Sequence, residues 1–223
     1  MLCATTITDK ENLLERAEGY KRELRFNLSE ESYLQTTRRA CTGHRYRKEL
    51  EPIVPSAPEY NLGKARLTVN AYNALILNSQ NMFVADIDQG DSRFNQYATV
   101  SNADEVLAGL ERLGEFDERH STRFADQCWR LYWTQAGFRL ICVSTPVTMD
   151  WFSIALLRFL RSDPRYIDLC GEQQNFRARL TPKPWRDEEK VCGLIDERGE
   201  GVHPLLKEQL RLHDELTLEM ASC

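Results

Sequence analysis

Two aspartates at the end of a hydrophobic segment are the residues of this sequence best suited to chemistry. Residues 82–90 read M-F-V-A-D-I-D-Q-G, so Asp86 and Asp88 follow an apolar strand with one residue between them. Side chains two apart on a strand project from the same face, which directs both carboxylates to one point while Ile87 turns inward. Mg²⁺ or Mn²⁺ would offset their mutual repulsion, because hard divalent cations prefer carboxylate oxygens. The alternative is a strand that runs out into an ordinary polar turn, where aspartate is common.

A second group of residues surrounds a tight turn in W-R-L-Y-W-T-Q-A-G-F-R-L-I-C-V. A hairpin here brings Thr134, Gln135 and Arg139 to one face of a sheet, with Gly137 in the turn. Backbone N–H groups, a hydroxyl and a guanidinium in that arrangement are suited to binding phosphate. The alternative is a plain hairpin that carries one exposed arginine.

Basic residues accumulate in N-F-R-A-R-L-T-P-K-P-W-R, residues 175–186. Arg177 and Arg179 share one face of a predicted strand, and Lys183 follows on a loop that two prolines stiffen. A row of arginines beside a tryptophan suits contact with phosphates and bases. The alternative is a solvated strand face that pairs with the acidic stretch 187–200.

Composition restricts the classes of protein to which the chain can belong. Its 223 residues, 42% hydrophobic and 28% charged, suit one sizeable globular domain with or without a helical extension. A net charge of −5 excludes a general polycation, so any contact with nucleic acid must come from a local basic patch. The seven cysteines form no C-x-x-C pair, which favours buried reduced thiols over a disulfide framework. We therefore expect a cytoplasmic protein without a signal peptide or a membrane-spanning segment.

Prolines divide the predicted elements into two parts. Residues 1–58 predict a helical extension that ends in a proline-containing linker, and residues 59–223 predict an α+β domain with a C-terminal helix. The order in the second part indicates a mixed or antiparallel sheet, built from two β-hairpins, with helices packed on it. The predicted strands are 65–77, 82–88, 128–134, 138–144, 175–180 and 191–196, and the predicted helices are 102–115, 148–160 and 203–220, with a short one that begins at Asp163.

The order of D-x-D, helix and T-x-x-G-x-R on a hairpin resembles the palm of archaeo-eukaryotic primase-polymerases. In that family a D-x-D strand is followed by a helix, then by a Ser/Thr-Gly-rich turn with a histidine on the next strand, and later by a third acidic residue. This chain departs from the pattern at Arg139, which stands where the histidine is expected, and by having one glycine in the turn. The segment F-R-A-R-L-T-P-K-P-W-R also resembles a segment of stand-alone bacterial proteins.

The resemblance to primase-polymerases implies a primase-like palm with a nucleotidyltransferase site. By this likeness Asp86 and Asp88 are the catalytic residues and hold two Mg²⁺ or Mn²⁺ ions, and Asp196 in G-L-I-D is the third carboxylate. The residues that the likeness assigns to the nucleoside triphosphate are Thr134, Gly137 and Arg139. Because arginine also binds phosphate, the presence of Arg139 in place of the histidine is more compatible with nucleotide binding than with templated synthesis.

The sequence thus leads to one principal hypothesis and one alternative. The principal hypothesis is metal-dependent phosphoryl transfer on nucleotides or nucleic acid, in which Arg139, Arg177, Arg179 and Lys183 grip the phosphates of a nucleoside triphosphate. Single-stranded nucleic acid is a further candidate partner, and no membrane partner is expected. The alternative is a catalytically inert module that binds nucleic acid or protein through the basic strand and needs no divalent ion.

Overall fold

Two four-stranded antiparallel sheets organise the part of the chain that the structure describes. The computed structural model describes residues 51, 53–54, 60–70, 74–90, 98–181 and 192–217. The strands in these ranges are β1 (Ile53–Val54), β2 (Ala65–Val69), β3 (Leu75–Ser79), β4 (Val84–Asp88), β5 (Trp129–Thr134), β6 (Gly137–Cys142), β7 (Phe176–Arg179) and β8 (Cys192–Arg198). The helices are α1 (Ala103–Glu111), α2 (Leu113–His120), α3 (Trp151–Phe159), α4 (Pro164–Gln173) and α5 (Lys207–Thr217).

The strand order shows how the chain alternates between the sheets. The first sheet has the order β1-β2-β3-β7 and the second has the order β4-β6-β5-β8. Every pair of neighbouring strands is antiparallel. The structure therefore confirms the predicted α+β class, with two antiparallel sheets where the sequence analysis expected one sheet.

The predicted hairpin between the strands 65–77 and 82–88 is wrong, because β3 and β4 belong to different sheets. The predicted strand 65–77 is divided into β2 and β3, which pair with each other from Ala65 opposite Ser79 to Val69 opposite Leu75. After β3 the Ser79 hydroxyl accepts hydrogen bonds from the N–H groups of Asn81 at 3.1 Å and Met82 at 2.8 Å. This local turn carries the chain out of the first sheet and into β4 of the second.

The second predicted hairpin and the predicted starts of α1 and α4 are confirmed. The predicted starts of the other two helices are wrong, because α3 begins at Trp151 and not at Thr148, and α5 begins at Lys207 and not at His203. Strands β5 and β6 pair directly, with Thr134 opposite Gly137. Helix α1 begins after Asn102, whose side chain accepts from the N–H of Glu105 at 3.1 Å. Asp150 and Asp163 cap α3 and α4 in the same way. These are short-range hydrogen bonds of the kind that the residue types alone indicate.

A tyrosine and the C-terminal helix join the two sheets. The Tyr166 hydroxyl donates to the carbonyl of Val84 on β4 at 2.7 Å and accepts from the N–H of Arg177 on β7 at 3.2 Å. In α5 the buried Gln209 amide donates to the Leu62 carbonyl at 3.0 Å and to the Asn81 side chain at 2.9 Å. Helix α5 is therefore an integral part of the core.

Three cysteines lie in the core as the sequence analysis expected. Cys128, Cys142 and Cys170 are buried free thiols. Burial raises the pKa of both Cys142 and Cys170 to about 12, because it disfavours the thiolate. Since the thiolate is the nucleophilic form, these two cysteines have a structural role in the fold.

Several predictions fall outside the described residues. The predicted helical extension lies there, as do Lys183 and most of the predicted proline-containing linker. The part of the linker that is described contains β1, which pairs with β2 at the edge of the first sheet. Within the described ranges, none of the helices has the length and hydrophobicity needed to cross a membrane.

Candidate functional site

The end of β4 and the β5–β6 turn lie side by side in the second sheet. Asp86 is paired with Arg139 and Asp88 with Gly137, while Thr134 is opposite Gly137 on the other side of β6. Directly paired residues of neighbouring strands project from the same face. The second sheet thus brings five of the predicted site residues to one face at one end.

The two aspartates have the orientation that their spacing predicts. Along β4 the side chain of Ile87 is buried, and the side chains of Asp86 and Asp88 on either side of it are half-buried. The N–H of Gln89 just beyond the strand donates to the Ala136 carbonyl at 2.8 Å, which ties the turn to the end of β4. The carboxylates therefore emerge next to the turn that the sequence analysis associates with phosphate.

Arg139 is a buried residue, so the alternative of a single exposed arginine is wrong. Its side chain is 1% exposed, whereas that of Asp86 is 35% exposed. The guanidinium contacts Asp86 Oδ1 through Nε at 3.4 Å, and Nη1 donates to the Arg179 carbonyl at 3.1 Å and lies 3.1 Å from Nε2 of His213. Arg139 is thus fixed by groups from β4, β7 and α5.

A chain of polar contacts continues from Arg139 into the C-terminal helix. Nδ1 of His213 lies 2.9 Å from Asp214 Oδ1, and the Tyr132 hydroxyl donates to the same oxygen at 2.9 Å. The other carboxylate oxygen of Asp214 accepts from Arg130 at 2.8 Å. Burial lowers the pKa of His213, and the positive charge of Arg139 adds to the effect, although Asp214 opposes it. Burial also raises the pKa of Tyr132, which keeps the phenol protonated.

The lowered pKa of His213 predicts a loss of stability in mild acid. An unfolded histidine takes up a proton at about pH 6.5, whereas folded His213 stays neutral to a lower pH. The unfolded state then binds more protons, so the free energy of unfolding falls as the pH drops below about 6.5 and levels off below the folded pKa. Urea unfolding at about pH 7.5 and about pH 5.5 should show a larger loss in the parent than in His213→Gln. Equal losses in the two proteins would contradict this role of His213.

Asp163 is a third acidic residue close to Asp86. The N–H of Asp163 donates to the Asp86 carbonyl at 2.8 Å, and the hydroxyl of Ser162 donates to the same carbonyl at 2.6 Å. Burial raises the pKa of the Asp163 carboxyl, and the charge of Asp86 raises it further. The sequence identifies Asp163 as the start of α4, but its proximity to β4 follows only from the packing of α3 and α4 on the sheet.

The structure does not bring Asp196 to the other two predicted metal ligands. Its strand, β8, lies at the opposite edge of the second sheet from β4, with β6 and β5 between them. Asp196 accepts from Arg198 at 3.0 Å, and Arg198 in turn reaches Glu111 of α1 at 3.6 Å. The prediction that Asp196 is a third metal ligand beside Asp86 and Asp88 is therefore wrong. Across the described ranges, no cluster of three or more His, Cys, Asp or Glu side chains has a geometry that could hold a metal ion.

Arg177 is enclosed in a polar cluster of the first sheet, so it is neither a solvated residue nor a phosphate contact at the surface. Its side chain is 7% exposed and pairs with Glu51 at 2.6 Å. It also donates to Asn78 Oδ1 at 2.9 Å and to the Gln173 side chain. Thr68 completes the cluster, since its hydroxyl donates to Glu51 at 2.6 Å and accepts from Asn78 at 2.7 Å.

Arg179 has a different place from Arg177, although both are on β7. Its side chain is half-buried, and its carbonyl accepts the hydrogen bond from Arg139 that links β7 to the second sheet. Of the predicted arginine row, Arg179 is thus the member that approaches the Asp86 site, through its backbone. Lys183, the remaining member, lies outside the described residues.

Comparison with known proteins identifies no relative of this chain. No protein-family model matches the chain, and neither a curated protein nor a solved structure matches it. The resemblance to primase-polymerases stays a prediction that depends on the short motifs around Asp86 and Arg139.

Proposed function

We propose that this protein binds a nucleoside triphosphate together with a divalent cation at Asp86 and Asp88 and transfers its phosphoryl or nucleotidyl group, on a palm of the primase-like kind. The observation that carries the proposal is the convergence of these carboxylates with the turn around Gly137 on one face of the second sheet. Two half-buried carboxylates with a common orientation suit Mg²⁺ or Mn²⁺. A bound cation would supply charge neutralisation for the phosphates.

The turn of the β5–β6 hairpin supplies the surface for the phosphates. A Cβ atom at Gly137 would lie 2.0 Å from the Ile87 carbonyl oxygen, so only glycine lets β6 approach β4 this closely. The Thr134 hydroxyl belongs to the same face as Asp88. A hydroxyl and turn backbone beside the carboxylates are suited to phosphate oxygens.

Arg139 contributes to this site from below the surface. Because it is buried against Asp86, it acts through its positive charge and by orienting that carboxylate. Asp86 is then partly neutralised, which lowers the cost of holding it near Asp88 and Asp163. In this proposal the direct phosphate contacts come from the turn and the cation, and Arg139 and Arg179 support the site.

One observation favours the alternative of a catalytically inert binding module. The contact between Arg139 and Asp86 at 3.4 Å already gives the carboxylate a cationic partner that belongs to the protein. A site satisfied in this way needs no divalent ion to hold its acidic residues together. The alternative therefore predicts salt-sensitive binding of nucleotide or single-stranded nucleic acid that is independent of metal.

Binding of ATP with and without Mn²⁺, measured by calorimetry, tests the proposal. We expect Asp88→Asn to weaken Mn²⁺-dependent binding by about tenfold or more, because a carboxylate ligand is lost. Asp88 is preferable to Asp86 for this test because removal of Asp86 would leave the buried Arg139 without its carboxylate. The backbone carbonyl of Asp88, which accepts from Thr99 at 2.8 Å, is unchanged in the variant.

Two further aspartate variants serve as controls, which show whether a loss of binding is specific to Asp88. Asp126→Asn changes an exposed aspartate in the loop before β5, and we expect it to bind as the parent does. Asp196→Asn should also bind as the parent does, since β8 lies at the far edge of the sheet. Equal Mn²⁺-dependent binding by the parent and Asp88→Asn would refute the proposed site, and binding unaffected by Mn²⁺ would favour the inert module.

A further inference from the structure

The C-terminal helix inserts one histidine beside the arginine of the candidate site. His213 of α5 is fully buried, and its ring meets the Tyr132 ring edge to face with centroids 5.0 Å apart. Nε2 of the imidazole lies 3.1 Å from Nη1 of Arg139. Among the described residues, the charged and titratable groups that face this ring are Arg139 from β6, Arg130 and Tyr132 from β5, and Asp214 from α5.

The chemistry of these contacts allows one arrangement of the imidazole protons. A guanidinium has only N–H donors, so Nε2 of His213 must present a lone pair to Arg139. The remaining ring proton is then on Nδ1 and is donated to Asp214 Oδ1 at 2.9 Å. Asp214 is itself held by Arg130 and Tyr132, so the ring is oriented from both sides.

We infer that His213 is a positioning residue of the candidate site, which holds the Arg139 guanidinium against Asp86 through an imidazole that is neutral and protonated at Nδ1. Arg139 reaches Asp86 with Nε, while its Nη1 is shared by the Arg179 carbonyl and His213. An acceptor at position 213 therefore fixes the plane of the guanidinium and with it the orientation of Asp86. The functional consequence of this inference rests on the proposed function, but the contact itself does not.

Two substitutions separate the acceptor from the rest of the side chain. His213→Gln can place an amide oxygen near the position of Nε2 and so retains an acceptor for Arg139. His213→Leu fills similar space without a polar atom and leaves Arg139 Nη1 with one acceptor fewer. A purely structural role in packing would make the two variants alike, whereas a positioning role separates them.

Nitrogen NMR of the ¹⁵N-labelled full chain at neutral pH tests the contact without reference to any ligand. We expect His213 to be protonated at Nδ1 and not at Nε2, with its signal identified by its absence from His213→Gln. Exchange of the Arg139 Nε–H with water should be about tenfold or more faster in His213→Leu than in the parent, and within about threefold in His213→Gln. Equal exchange rates in the two variants would overturn the inference. Protonation at Nε2 in the parent would overturn it even where His213→Leu is too unstable for further study.

Titration with ATP and Mn²⁺ then tests the functional consequence. We expect His213→Leu to bind about tenfold more weakly than the parent and His213→Gln to bind within about threefold, since groups behind a ligand tune affinity to this extent. Equal binding by parent and His213→Leu would overturn the positioning role. Absence of Mn²⁺-dependent binding in the parent would refute the proposed function, and the NMR result would still decide whether His213 holds Arg139.

Discussion

Arg139→Met is expected to lower the free energy of unfolding by about 3 kcal/mol, because it removes the cation from a buried polar cluster. Methionine has similar length and is apolar, so packing is largely kept. The loss leaves buried Nε2 of His213 and the Arg179 carbonyl without their donor, and it leaves Asp86 without its cationic partner. Because Asp86 is 35% exposed, water solvates part of its charge, which holds the expected cost below the full penalty for a buried ion.

Urea unfolding of the parent, Arg139→Met and Arg158→Met measures this effect. Arg158 is an exposed residue in the last turn of α3, and its substitution should change the unfolding free energy by less than about 0.5 kcal/mol. Arg139→Lys keeps the charge but lacks the planar guanidinium and its several N–H donors. It should therefore recover only part of the free energy of unfolding that Arg139→Met loses. Similar unfolding midpoints for Arg139→Met and Arg158→Met would show that the buried contacts contribute little.

Gly137→Ala is expected to cost about 3 kcal/mol through a clash between two backbones. The new Cβ would lie 2.0 Å from the Ile87 carbonyl oxygen and 2.6 Å from the Gln89 nitrogen. Both atoms belong to the main chain, so no side-chain rotation relieves the contact, and β4 must move away from β6. Since β4 carries Asp86 and Asp88, the substitution should also weaken any Mn²⁺-dependent binding of ATP.

Gly109→Ala is the matched control for this prediction. Gly109 lies inside α1, and nothing lies within 4 Å of the position that its Cβ would take. Alanine is favoured over glycine in a helix, so this variant should be more stable than the parent by about 0.5–1 kcal/mol. Thermal unfolding of both variants makes the comparison, and a stable Gly137→Ala protein would mean that the two strands are not so closely held.

Local patterns in the sequence determined the elements of the candidate site. The alternation around Ile87 predicted that Asp86 and Asp88 share a face, and the turn residues predicted the β5–β6 hairpin. The caps of α1 and α4 were likewise visible, because a capping side chain bonds a backbone group two or three residues away. Such features depend on neighbours along the chain, which the sequence presents directly.

Tertiary structure decided how exposed the site residues are and with what they pair. Arg177 is buried because it meets Glu51, which is 126 positions away in the chain, and Arg139 is buried because it meets His213, which is 74 positions away. A row of arginines on a strand looks the same in sequence whether it faces water or a polar cluster. The partner that removes each charge from water is brought there only when distant segments pack, since burial must be compensated by a specific contact.

The packing of distant segments also decides which acidic residue approaches β4, the strand that carries Asp86 and Asp88. Asp196 and Asp163 are both aspartates near the boundary of a predicted element. The order of motifs shared with primase-polymerases favoured Asp196 as the third carboxylate. The strand order 4-6-5-8 separates Asp196 from β4, whereas the return of the chain after α3 places Asp163 against the Asp86 backbone. Strand order is set by the total burial of apolar faces over the whole domain, so no short motif contains it.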